Sequence, residues 1–224
     1  MSPERNLFGQ RIGPKGRLTR ERMIASARLL LEASPTITPS LTAVAREAGV
    51  AMAAIYRYYP DTAALMIDAL EPIRLEMEAV TALLVRPWPQ GETYEQALVF
   101  AKAHYDYWQA RRGALFLRNS LAERGDERFV QLRTKWARPL VDGLAAKLAA
   151  AHGRRTLDAD LPVASLVISG MERTTTLALQ RSEALSADGA EDHGGGLDPS
   201  TLESRLAAVA QIIALLLRRD CTQT

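Results

Sequence analysis

A single cysteine, Cys221, stands in a chain of 224 residues, so no intrachain disulfide can form and the fold must rest on a buried core, as suits a reducing compartment. The three histidines, His104, His152 and His193, lack metal-ligand spacing, and one cysteine cannot build a zinc cluster, so no metal centre is expected. No apolar, uncharged run approaches the roughly 18 residues of a membrane-spanning helix. The opening stretch to Thr19 is polar and basic, without the apolar segment of a signal peptide, and a soluble cytoplasmic protein is expected. Catalytic signatures are missing too. There is no Gly-x-Ser-x-Gly elbow and no phosphate-binding glycine loop followed by lysine, and His193-Gly194-Gly195-Gly196 has only a superficial likeness to an esterase oxyanion loop. Segments of alternating polarity are scarce, which argues against a sheet. No enzymatic activity and no cofactor are expected.

Hydrophobic residues make up 47% and charged residues 24%, as in ordinary globular proteins. The net charge of +2 hides an asymmetry: residues 1 to 60 carry nine basic and four acidic side chains, a balance of +5, which leaves −3 for the remainder. A basic front and a mildly acidic body fit a chain of which one end meets a polyanion.

Helical periodicity dominates, with about nine helices expected in an all-α fold. The first runs from Thr19, a candidate N-cap, to Ala33 and is closed by Pro35 and Pro39. A short helix from Leu41 to Ala48 follows, capped by Ser40, then a turn at Gly49 and a second short helix from Ala51 to Tyr59. Asp61 caps a longer helix with an expected kink at Pro72. Further helices are expected over Tyr94–Arg112, Ala114–Glu123, Asp126–His152, Pro162–Leu185 and Ser200–Arg219, with a glycine-rich flexible connection from Ser186 to Pro199. The expected organisation is a basic flexible arm over 1–18, a DNA-binding domain over 19–60 and a helical body over 61–220.

The stretch from Leu41 to Tyr58 carries the chemistry. Two short crossed helices need a small residue at their approach, a turn residue able to take positive φ, and apolar groups that hold the crossing angle. Ala45, Gly49 and Ile55 occupy those places, and Val44 and Val50 complete a small core. The outward face of the second helix offers Met52, Ala53, Ala54 and Arg57 to base edges, with the alanines small enough to meet thymine methyl groups. Tyr56 and Tyr58 end in hydroxyls suited to phosphate oxygens, which fix register without reading sequence. Ile55 and Tyr59 are assigned to the core. Arg11, Lys15 and Arg17 on the arm are candidates for a minor-groove contact.

These residues, Leu41-Thr42-Ala43-Val44-Ala45-Arg46-Glu47-Ala48-Gly49-Val50 followed by Ala54-Ile55-Tyr56-Arg57-Tyr58-Tyr59 and Asp61 to Leu65, resemble the DNA-binding domain of the TetR family over roughly Arg20 to Leu70. The resemblance implies an all-α homodimer, three N-terminal helices on DNA and a divergent C-terminal helical domain that binds an inducer. It places Tyr56 and Tyr58 where the family contacts phosphate, and Thr42 near the DNA-facing start of its helix. Two positions depart from the family's pattern: Thr62 stands where a phosphate-reaching lysine is common, and Ala51 where serine or threonine is common.

In the body, Ser169 and Gly170 beside Leu166 and Leu177 permit close helix approach, and Leu202, Leu206, Val209, Ile213 and Leu216 form a stripe wide enough to bury against another chain. Periodicity alone leaves open whether that stripe faces its own core; the resemblance implies a two-fold, four-helix interface. Phe100, His104 and Trp108 recur at helical spacing, with Phe116 and Trp136 farther on, and either fill a core or line a cavity in which His104, Met171, Arg173 or Thr174 would meet a ligand. The expected partners are a palindromic operator duplex, a small-molecule inducer and a second copy of the chain. The expected function is a repressor released by its inducer, and the alternative is a ligand-independent DNA-binding protein or an activator of the same fold.

Overall fold

The computed structural model describes residues 5–34, 37–89, 91–154, 158–187 and 199–218. Among them are nine helices and no strand: α1 (Pro14–Ala33), α2 (Leu41–Ala48), α3 (Met52–Ile55), α4 (Thr62–Val85), α5 (Thr93–Ala110), α6 (Arg112–Glu123), α7 (Glu127–Ala151), α8 (Leu161–Ala187) and α9 (Pro199–Leu216). The all-α class read from the sequence is thereby established. The expected connection Ser186–Pro199 lies mostly outside the described residues, as does Cys221.

The chain divides into two compact units. The first holds residues 1–75 and 111–130, and the second holds 76–110 and 131–224. In the first unit, α1 packs on α2 and α6. Helix α1 begins at Pro14, whose fixed φ and missing N–H suit a first helical position. Thr19 therefore sits inside the helix, its hydroxyl donating to the Lys15 carbonyl (2.9 Å), and is not the expected N-cap. Arg20, Met23, Ala27 and Leu31, three or four apart, form the buried face.

Helix α2 starts where the Ser40 hydroxyl accepts the Ala43 amide (3.1 Å) and stops at Gly49, which takes φ +60°. The Gly49 amide donates to the Arg46 carbonyl (3.2 Å) and the Val50 amide to the Ala45 carbonyl (3.0 Å), a paired closure that depends on the left-handed glycine. The Arg22 guanidinium donates to the Ala48 carbonyl at the same end.

Helix α4 begins at the Asp61 carboxylate, which accepts the Ala64 amide (2.8 Å), and runs unbroken through Pro72. In the second unit α9 packs chiefly along α5, and α8 touches both. Phe100, Trp108, Leu144 and Ile213 are fully buried there. A Cβ at Gly143 of α7 would come within 3.0 Å of the Leu84 side chain, so the glycine admits a close approach to α4.

Candidate nucleic-acid interface

Helix α3 is shorter than its sequence pattern predicts. After Ile55 the chain winds on in tight turns, with the Arg57 amide donating to Ala54 (3.3 Å) and the Tyr58 amide to Ile55 (2.9 Å). Ala51 stands at the N-cap with no side-chain hydrogen bond to offer, the local cost of lacking a hydroxyl there. The two faces separate as their chemistry demands. Ile55 and Tyr59 are buried, Ala53, Tyr56 and Arg57 are exposed, and Met52, Ala54 and Tyr58 are half-buried at the edge. Thr42 is exposed at the start of α2.

What holds the presenting segment is a polar network that sequence reasoning missed. Asp68 of α4 accepts the Tyr59 hydroxyl (2.9 Å) and pairs with the Arg20 guanidinium of α1. The same guanidinium carbon lies 5.9 Å from the centre of the Tyr59 ring. Burial, then the Asp68 charge, push the Tyr59 phenol far above its ordinary range, so Tyr59 stays protonated and donates. Two helices, α1 and α4, are thus tied to the end of α3 by one carboxylate. The i to i+9 step from Tyr59 to Asp68 crosses a turn, so no single helical period links them.

The two tyrosines differ. Tyr56 is 51% exposed and reaches outward. At Gly16, in the first turn of α1, an added Cβ would lie 3.0 Å from the Tyr58 hydroxyl. The absence of a side chain at residue 16 is what lets that hydroxyl come close.

The basic residues expected on the arm over 1–18 fall in two places, on α1 and ahead of it. Lys15 and Arg17 are exposed on the first turns of α1. Arg11 lies in a folded turn, bridged in antiparallel fashion to Arg5, and the Leu7 amide of this turn donates to the Arg57 carbonyl (3.0 Å). The sequence hint was Asn6 and Gly9 around an apolar pair, a turn signal overlooked among the charges. Residues 1–4 lie outside the description.

At the α4 start, Asp61 also accepts Arg128 (2.9 and 3.1 Å), which grips Asp126 (2.8 Å) as well. Burial works against ionisation of Asp61, but the Ala64 amide and the Arg128 guanidinium outweigh it and hold its carboxyl below the ordinary range. Hydrogen bonding from Arg128 does the same for Asp126.

In the second unit, His104, Met171 and Thr174 line a pocket among α5, α8 and α9, together with Ala101, Tyr105, Thr175, Leu202, Arg205, Leu206 and Val209. Its water-sized space is about 10 Å³, room for about one water molecule. Phe100, Trp108 and Trp136 are buried in the core instead, Arg173 is exposed, and Phe116 belongs to the first unit. Arg205 had no signal, since no motif surrounds it and α9 carries only one other charged residue, Glu203. The stripe expected to meet a second chain splits. On α8, Leu166 is 75% exposed and Leu177, Ser169 and Gly170 are exposed beside it. On α9, Leu202, Leu206 and Val209 line the chain's own pocket and Ile213 is fully buried, while Leu216 is half-buried. Ile212 and Leu215, each 50% exposed, occupy the outward face.

Among the described residues no helix is long and apolar enough to cross a membrane and no group of residues could hold a metal ion. An all-helical chain with a crossed pair of short helices set on a longer first helix has a TetR-like fold. GusR of Salmonella enterica shares it, with a TM-score of 0.53 and 18% identity over 89% of this chain and 93% of that one. No protein-family model matches the chain, and no curated protein matches its sequence.

Proposed function

We propose that the chain is a DNA-binding transcriptional regulator, a homodimeric repressor that grips a palindromic operator and is released by a small-molecule inducer. The observation that carries this reading is the α2–Gly49–α3 unit, whose far side is buried while Tyr56, Arg57 and Ala53 face outward on a base fixed by Tyr59, Asp68 and Arg20. Exposed Lys15 and Arg17 on the first turns of α1 supply further phosphate-seeking charge. The fold shared with GusR, a TetR-family-like regulator, supports the same reading.

Dimerisation through α8 and α9 is supported by the exposed apolar residues Leu166, Leu177, Ile212 and Leu215 beside Ser169 and Gly170. A two-fold pair of recognition segments reads half-sites roughly 34 to 36 Å apart, or a multiple of that. Inducer action follows from linkage: a ligand that binds better when the segments are wrongly spaced weakens DNA binding by the same coupling, about 1 to 3 kcal/mol. Its site on this reading is the pocket with His104, Thr174 and Arg205, which must open to admit it. The small volume of that pocket favours a second reading, a ligand-independent DNA-binding protein of the same fold.

The test is the double variant Tyr56→Ala with Tyr58→Ala. A folded, dimeric preparation loses affinity for the duplex that the parent selects from a randomised pool. Retention of full affinity removes the regulator reading. Thermal shifts with candidate ligands separate the inducible from the ligand-independent form.

A further inference from the structure

The turn ahead of α1 is built with more care than a charged tail requires. The Asn6 carboxamide oxygen accepts the amides of Phe8 and Gln10 (3.0 Å each), and its nitrogen donates to the Gln10 side chain (3.0 Å). The Asn6 amide donates to the Gln10 carbonyl and the Gly9 amide to the Asn6 carbonyl, both at 2.9 Å. The Arg5 guanidinium donates to the Gly9 carbonyl (2.6 Å), and Gly9 takes φ +74°, a conformation that other residues adopt at a cost. Leu7 ties the turn to the Arg57 carbonyl at the end of the recognition segment.

All this order serves to hold an apolar tip in the open. Phe8 is 72% exposed and Leu7 half exposed, with the exposed Arg5 and Arg11 at the turn's base. From Arg5 to Arg20 the chain has five basic residues and no carboxylate. A rigid aromatic tip between guanidinium groups fits a partner that is anionic outside and stacked and apolar inside, which describes a nucleic-acid duplex. One hydrogen bond from Arg57, the tip sits beside the segment that enters the major groove, where the flanking backbone and minor groove come within reach.

We propose that the Arg5–Arg11 turn is a second DNA-contacting element, in which Phe8 wedges at a base step of the flanking minor groove and bends the duplex while Arg5 and Arg11 neutralise phosphates on either side. The inference rests on the regulator reading and adds to it a contact that shapes the DNA.

The experiment compares the full-length parent with Phe8→Ala, Phe8→Leu and Arg5→Ala/Arg11→Ala on the duplex the parent selects, measuring affinity against salt and bend angle by end-to-end energy transfer. Phe8 touches little of the protein, so its variants fold as the parent does. Phe8→Ala is expected to remove most of a bend on the order of tens of degrees and to weaken binding several-fold. Phe8→Leu keeps much of the bend. The double arginine variant lowers the slope of log affinity against log salt by roughly two. An unchanged bend and affinity in Phe8→Ala overturns the wedge while Tyr56→Ala/Tyr58→Ala still abolishes binding and upholds the regulator reading. If the parent selects no duplex, both fall. If Phe8→Ala instead loses binding to anionic lipid vesicles with DNA binding intact, the partner is a membrane surface and the inference is overturned.

Discussion

The Tyr59 hydroxyl donates a 2.9 Å hydrogen bond to Asp68, and the same carboxylate oxygen receives Arg20. The consequence is that the turn after α3, the first helix and the early part of α4 share one anchor. Arg20 is buried and Asp68 only partly so, which makes the arginine the group that suffers when the pair is broken. Asp68→Ala leaves a buried guanidinium without its partner and is expected to cost about 3 kcal/mol of stability. Tyr59→Phe removes one hydrogen bond and costs about 1 kcal/mol. Urea denaturation of the two variants checks the order, and equal losses would show that the charge is compensated elsewhere.

Gly16 and Tyr58 yield a prediction in which stability and binding part company. Alanine at 16 gains helix propensity of up to about 1 kcal/mol. Its Cβ would meet the Tyr58 hydroxyl and the Ile12 side chain at 3.0 Å, so the tyrosine must move. Gly16→Ala is expected to keep or raise the melting temperature while lowering affinity for the selected duplex. A variant that binds as the parent does would show that the Tyr58 hydroxyl lies off the DNA path.

The crossed helices were legible because a turn with a positive-φ glycine, a serine cap and apolar positions three and four apart each leave a local mark, and Ser40, Gly49 and Ile55 all behave as that pattern requires. The start of α1 was misread because Thr19 looks like a cap, whereas Pro14 was the stronger signal for a first helical position. The joining of residues 111–130 to the first unit has no periodic signature, since it depends on which surface α6 covers and not on its own stripe. The α9 stripe shows the same limit. Periodicity predicts that Leu206 and Ile213 are buried somewhere, and only the packed chain shows that their neighbours are its own helices.

Acid should loosen the first unit through Asp61 and Asp126. Both carboxyls have folded pKa values below the ordinary range. The stability they add is present above about pH 4, the unfolded value, and is lost as pH falls through the lower folded values. Arg128→Gln removes the cation they share, so the variant is less stable at neutral pH, by no more than about 1 kcal/mol because the cluster is open to solvent, and the gap closes as pH falls and the carboxyls protonate. Denaturation midpoints of parent and variant, followed from neutral pH downward, check this. Curves that coincide from neutral pH downward would rule out a role for the cluster.

Lys147 gives the second unit a pH signature of the same sign, but in the alkaline range. Its ammonium lies 4.3 Å from the centre of the Trp88 ring and donates to the Arg86 carbonyl (2.6 Å), while the Trp88 indole donates to Leu83 (2.9 Å). The loop after α4 is thus held by a half-buried cation, and burial pushes its pKa down to about 8. An unfolded lysine titrates near about 10.4, so between those values the unfolded chain binds more protons than the folded one and stability rises with pH. Below about pH 8 the folded chain bears the full desolvation penalty, and above the unfolded value that penalty is gone. Lys147→Met removes the titrating group along with its hydrogen bond. The parent's melting temperature should therefore gain on the variant's as pH is raised from about 7.5 to about 9.5. A constant difference over that interval would mean that the amine is better solvated than its place beneath Trp88 implies.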